Sequence, residues 1–338
     1  MFNTKQNITV LIFLLALSAT VAAQEMPPLN KVEWHSYTQL RFATDFDNYN
    51  NFSVRRLKFW IKSGPAFSKH WSFKAQAIFM SVQKEKFFLQ DVYGQYNFGN
   101  SSIRFGQFIP RYSLQRFQPD YLIPATERAR AVNLLIPDGT LGVRDIGIQY
   151  SLNAAKGNLH FNIGLFNGYG IREYRYNNTG ILATQNLSYR IPFKHSSLQL
   201  GYSVMYRKDE NLYLPGVYSD TLSYTGTEFR FNVNGIFISK GIDVQAEYLQ
   251  AYLDTTSAGG YYALATVKIN AKNHAYLMVD HYSNGYDSPL SLNSPWYIAG
   301  YNYLFKKYRI MLTLETGFQE TGSQWNNRTV LQFQMFFH

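Results

Sequence analysis

Basic side chains are the groups in this sequence whose types and spacing could do chemistry. Arg56, Lys58 and Lys62 recur at even spacing, so in an extended chain they share one face, opposite Leu57, Phe59 and Ile61. Lys74 and Arg104 fall on the polar faces of two later alternating segments, and Arg41 stands between Leu40 and Phe42 at the end of an earlier one. Arg111, Arg116, Arg128 and Arg130 are strung along a stretch without strand period, whose acids are Asp120, Glu127 and Asp138. Guanidinium and ammonium groups gathered in this way recognise oxyanions. Arg offers a planar fork of donors that matches carboxylate and phosphate oxygens, and Lys a compact charge.

Bond-making chemistry finds no support. The seven histidines are scattered, and no His-Glu-x-x-His pair, Gly-x-Ser-x-Gly elbow or P-loop occurs. The absence of cysteine removes disulfides, thiolate metal sites and thiol nucleophiles. Asp45 and Asp47 read as a solvated loop rather than a cation site, and the glycines at 164, 168 and 170 precede no helical pattern. The sequence therefore predicts no enzyme, cofactor or metal, and no nucleic-acid partner. A barrel enzyme such as a lipid hydrolase would need a serine, a histidine and a third polar group together on the outer wall. His160 and His274 fall instead on polar faces.

The elements that must position the basic groups are strands. The first residues read as a secretory signal peptide over 1–23. Lys5 precedes an apolar run from Ile8 to Leu17, and Val21-Ala22-Ala23 offers a cleavage site before Gln24. No later stretch approaches the ~18 consecutive apolar residues of a spanning helix. A membrane location then requires a closed barrel, which satisfies every backbone hydrogen bond in lipid.

The dominant period over 24–338 is two. Leu159, Phe161, Ile163 and Leu165 alternate with His160, Asn162 and Gly164, and Leu331, Phe333, Met335 and Phe337 with Gln332 and Gln334. Segments of roughly ten residues suit tilted membrane strands rather than soluble ones. About sixteen such segments occur, a number that leaves an aqueous channel. Short links fall near 99–100, 154–156, 194–195, 240–241, 271–272 and 306–307. Long ones fall near 44–53, 81–88, 109–144, 167–182, 208–225, 252–260, 283–295 and 319–327. This predicts an all-β antiparallel transmembrane barrel with short periplasmic turns and long extracellular loops. Aromatics near strand ends, Tyr37, Phe42, Tyr96, Phe98, Tyr150, Tyr189, Tyr206, Tyr248, Tyr297, Phe305 and Tyr308, read as interfacial girdles.

In this frame Arg56, Lys58 and Lys62 must face the lumen, because each would cost ~2–4 kcal/mol near the lipid midplane. The stretch 109–144 is too long and too apolar (Tyr112, Leu114, Leu122, Ile123, Leu134, Leu135) for a solvated loop. It is expected to be the third extracellular loop, folded into the barrel so that its arginines join the wall-borne bases at a constriction. A competing reading pairs these charges with lumen carboxylates such as Asp91, Glu228, Asp243 and Glu247, or places them against lipopolysaccharide phosphates.

Several stretches carry a likeness: Arg-Arg-Leu-Lys-Phe-Trp-Ile-Lys at 55–62, Arg-Phe-Gly-Gln-Phe at 104–108, Tyr-Ser-Leu at 112–114, and Glu127-Arg128. Val-Arg-Asp-Ile-Gly-Ile-Gln at 143–149 and Gly-Leu-Phe-Asn-Gly-Tyr-Gly at 164–170 extend it. Over most of the mature chain the sequence resembles the phosphate-selective porin O and P family. The resemblance implies sixteen strands, homotrimers in the outer membrane of a Gram-negative bacterium, an inward third loop, and anion passage through an arginine-lined constriction. Arg55 and Arg56 resemble that family's paired arginines. The expected partners are outer-membrane lipid, lipopolysaccharide and small anionic solutes. A general unselective diffusion porin and a non-conducting structural barrel are the alternatives.

Overall fold

Alternation between apolar and polar residues is what a strand needs when one face meets lipid and the other water. The computed structural model describes residues 32–65, 67–81, 85–136, 143–171, 180–214, 217–218, 223–254, 256–285 and 293–337. The signal segment 1–23 and Asp138 lie outside the described residues. The strands are β1 (Glu33–Thr44), β2 (Asn50–Ser63), β3 (Trp71–Ser81), β4 (Glu85–Phe98), β5 (Ser101–Phe108), β6 (Asp145–Ala154), β7 (Leu159–Phe166) and β8 (Ile181–Pro192). They continue as β9 (Ser196–Tyr213), β10 (Ser223–Ser239), β11 (Ile242–Leu253), β12 (Thr256–Lys268), β13 (Asn273–Asn284), β14 (Trp296–Tyr308), β15 (Ile310–Thr321) and β16 (Gln324–Phe336). Each pairs antiparallel with its neighbours in sequence, and β1 pairs with β16 from Tyr37↔Phe336 to Thr44↔Thr329. The sheet thus closes into a barrel with no free edge, as spanning lipid demands. Among the described residues no helix is long and apolar enough to cross a membrane.

The two faces sort as the period requires. Phe59, Ile148, Ile163, Leu200, Val233, Leu277 and Leu314 are exposed on the outer wall. Gln39, Arg56, Lys58, Asn162, Asn232 and Gln332, on inner faces, are buried. Two bulges beside the basic face re-sort residues of β2 and β4. Gln39 pairs with Arg56 and Leu40 with Val54, so Arg55 is the extra residue of β2. Gln76 pairs with Asp91 and Ala77 with Leu89, so Gln90 is the extra residue of β4. A bulge gives two residues where the partner strand has one and re-aims a side chain. Simple alternation would have pointed Arg55 at lipid; the bulge lets both Arg55 and Arg56 reach the lumen.

Loop lengths depart from expectation on one side. β11 and β12 are joined through 254–255 and β15 and β16 through 322–323, so the long loops expected at 252–260 and 319–327 are tight hairpins. Much of 81–88 and 208–225 likewise belongs to β4, β9 and β10. At the end of β9 the polar residues Lys208 and Asp209 pair with Thr227 and Gly226 without the alternation that marks a lipid-facing segment, and at Glu210 and Asn211 the register shifts, the Asn211 N–H donating to the Thr225 hydroxyl. The long connections at 109–144, 167–180 and 285–295 remain. Among the expected girdle residues, Tyr206, Tyr248, Tyr297 and Phe305 are exposed outward, but Tyr37 is buried and faces inward, where its hydroxyl donates to Asp120 at 3.2 Å.

Candidate functional site

The stretch after β5 enters the barrel and is hydrogen-bonded across it. It contains α1 (Leu114–Phe117), a 3-10 turn at Asp120–Leu122 and α2 (Arg130–Leu135). Glu247 of β11 accepts the backbone N–H groups of Leu114 at 2.9 Å and Gln115 at 3.2 Å. Glu315 of β15 accepts the Thr126 N–H at 2.8 Å and its hydroxyl at 2.5 Å. Asp280 of β13 takes the N–H and Nε of Arg130, and Arg230 of β10 donates to the Ile136 carbonyl at 3.0 Å. The apolar half of the loop lies on an apolar inner patch. Ala131, Val132 and Leu135 of α2 join one buried cluster with Leu249, Ala258, Tyr262, Leu264 and Tyr282 of β11–β13. That burial explains why a loop so rich in apolar residues can exist at all.

The loop therefore fills the β10–β14 side and leaves an open segment of about 480 Å³ against β2–β4. Arg55, Arg56, Lys58, Lys62, Lys74, Arg116, Arg128 and Arg144 line it, against Asp91, Asp120 and Glu127. Eight basic groups thus face three carboxylates. Asp120, on the loop, takes Lys58, Arg128 and, at 3.5 Å, Arg56. Glu127 takes both sides of the Arg55 fork and the Nη1 of Arg41 at 2.7 Å. Asp91 takes Lys74 at 2.6 Å and Arg144 at 3.0 Å. Burial by itself would raise the pKa of the two loop carboxyls. The cations outweigh it, Arg128, Lys58 and Arg56 at Asp120 and Arg55 and Arg41 at Glu127, and hold both well below the usual range. Among the described residues Arg116 has no carboxylate within ion-pair distance, and its buried Nε meets no acceptor. Burial, then the charges of Arg128 and Arg144, push its pKa well below the ordinary arginine value.

Of the residues singled out in the sequence, Arg55, Arg56, Lys58, Lys74, Arg116 and Arg128 converge on this segment. Arg41 stands behind it, joining Glu127 to Gln332 and the Thr126 carbonyl. Arg130 is part of the loop anchorage on the far wall. Arg104 donates to Gln95 and lies over Tyr93 with its guanidinium carbon 4.2 Å from the ring centroid, outside the narrow lining. Arg111 stacks at 3.8 Å on Phe117, which does line it; burial and the Arg104 charge lower its pKa to about 10. Lys62, expected on the lumen face with Lys58, lines it as well, and one further lining cation carried no strand-period signal. Arg144 precedes β6 where no period marks its direction, and its only signal was the Val-Arg-Asp stretch. Of the competing pairings, Lys74 with Asp91 is realised, whereas Glu228 lies between Arg207 and Arg230 and Asp243 takes Lys268 at 2.7 Å.

Solved porins share this architecture. OprB of Pseudomonas putida matches with a TM-score of 0.67 at 10% identity, covering 90% of this chain and 94% of that one. Salmonella typhi OmpF in complex with daunomycin gives 0.65 at 10% identity, with coverage of 91% and 98%. The outer membrane channel DcaP of Acinetobacter baumannii gives 0.61 at 13%, with 94% and 100%. No curated protein matches the chain. The model of the family described as phosphate-selective porin O and P matches residues 32–283. With that match over more than half its length, and with a closed sixteen-stranded barrel, the chain belongs to the phosphate-selective porin O and P family of outer-membrane channels.

Proposed function

We propose that this porin passes small solutes by passive diffusion and prefers anions, phosphate among them, at the segment lined by Arg55, Arg56, Lys58, Lys62, Lys74, Arg116, Arg128 and Arg144. The observation that carries the reading is the excess of eight basic groups over three carboxylates on one narrow lining. Rings of Arg and Lys favour anions, and narrow low-dielectric walls focus their field. Arg116 strengthens it, because a buried cation whose Nε meets no acceptor among the described residues is stabilised by any anion that comes within reach. A charge-balanced, unselective pore is the second reading, and the carboxylate partners of most of these bases favour it.

The zero-current potential in a planar bilayer under a KCl gradient separates the two. Anion preference that falls when Arg55 and Arg56 are both replaced by Ala, with phosphate blocking the chloride current, supports selectivity. A potential near zero in the unaltered protein supports general diffusion. The proposal extends to a homotrimer, since one of the similar structures is described as a trimer form of Vibrio cholerae OmpT. It also includes export by cleavage before Gln24 and contact with lipopolysaccharide at the outer rim.

A further inference from the structure

The basic wall is already occupied by carboxylates that belong to the protein. Glu127 spreads its oxygens over Arg55, with Arg55 Nη2 at 2.7 Å from Oε2 and Nε on Oε1, while the same Oε1 takes Arg41. Asp120 does the same for Lys58 and Arg128. Solvent access separates the two. The Arg55 and Glu127 side chains keep 19% and 22% of their exposure, whereas Arg41, Arg56 and Asp120 keep 7%, 8% and 9%. Asp120 is thus a latch sealed between loop and wall, and the Arg55–Glu127 pair is reached from the channel.

We propose that Glu127 is a tethered counter-anion which a permeating oxyanion displaces from Arg55, and that this exchange sets how firmly the pore holds its solute. The inference rests on the anion-conducting reading. A bare guanidinium fork in a narrow site would bind a phosphate or carboxylate tightly, and conduction needs binding weak enough to release. The bidentate geometry Glu127 uses is the one a phosphate would use. An arriving oxyanion therefore trades one set of charge-assisted hydrogen bonds for an equivalent set, and Glu127 trades them back as the solute leaves. Glu127 is not set adrift meanwhile, because Arg41 holds it and is itself fixed by Gln332 at 2.8 Å and the Thr126 carbonyl at 2.9 Å. No covalent bond or proton changes place.

The test is block of single-channel chloride current by inorganic phosphate, in the full barrel reconstituted in bilayers. Glu127→Gln keeps the shape but gives up the charge that competes for Arg55. It should lower the half-blocking phosphate concentration about tenfold, the worth of one charge-assisted hydrogen bond at the low end, and lengthen each blocked interval. Asp243→Asn, whose partner Lys268 lies outside the narrow lining, should leave block unchanged. Glu127→Asp, too short to span Arg41 and Arg55 together, should fall between, which guards against a Gln variant that loses its loop. Equal effects of Glu127→Gln and Asp243→Asn would reduce the result to a general field and overturn the exchange, as would unchanged or weaker block in Glu127→Gln. An unaltered pore without anion preference, beside a Glu127→Gln pore that blocks tightly, would sink the selectivity reading and leave the exchange standing.

Discussion

Arg116 separates charge from structure most cleanly. Among the described residues it makes no ion pair and its Nε is buried without an acceptor, so the cation destabilises the loop it sits in. Arg116→Met should leave the barrel's resistance to heat and detergent unchanged or raised, within about 1 kcal/mol, while the anion-to-cation permeability ratio falls. Gel mobility of the folded barrel and the zero-current potential read the two effects separately. Arg128 stands in contrast on the same loop. It binds Asp120 and donates to the carbonyls of Gln115 at 3.2 Å and Gln118 at 2.7 Å. Arg128→Met leaves the Asp120 charge short of a partner, a loss of roughly 3 kcal/mol for a buried pair. The expected readout is a noisier current as the loop loosens. A quiet Arg128→Met channel would count against the latch.

At the scale of elements, the inward loop is held by an apolar helix on one side and by carboxylates on the other, and each attachment has its own test. Val132 of α2 is fully buried against the inner wall. Val132→Glu would place a charge in that contact and should unseat the loop, raising conductance and lowering selectivity while the barrel stays intact. The carboxylate side predicts a pH profile. Asp120 and Glu127 have pKa values held below their unfolded ones, near about 4. Their contribution to loop attachment is therefore complete above that range and is lost only as pH falls through the lower folded values. The share of conductance and current noise that Asp120 and Glu127 govern should be flat from neutral pH to about pH 5, and rise only in stronger acid. Much of this was legible beforehand, because two solvents impose a strict period on the strands and because a long apolar loop needs a surface to cover. The bulge was not. Alternation assigns Arg55 to lipid, and only the paired-arginine motif pointed inward. Tyr37 was misplaced because an aromatic near a strand end can serve lumen chemistry as well as an interface, and Arg144 lay where no period exists to give a direction.

At the scale of the molecule the lumen is lopsided, with apolar packing filling the β10–β14 side and a basic passage left against β2–β4. Position around the barrel should therefore matter more than charge count. Lys74 and Lys268 make a matched pair for this argument. Both are inward lysines bound to one aspartate, at 2.6 Å and 2.7 Å, with side chains 18% and 22% exposed. Lys74 lines the narrow segment and Lys268 does not. In the wider lumen a charge is screened over a Debye length of about 8 Å at physiological salt, whereas walls of low dielectric concentrate the field of a charge beside the passage. Lys74→Gln should shift the zero-current potential toward cations, and Lys268→Gln should leave it in place. Raising the KCl concentration at a fixed gradient should shrink the Lys74→Gln shift only gradually, because the ions that would screen it are partly excluded from the segment. Equal shifts from the two lysines would mean that the whole lumen, and not one eccentric passage, determines which ions pass.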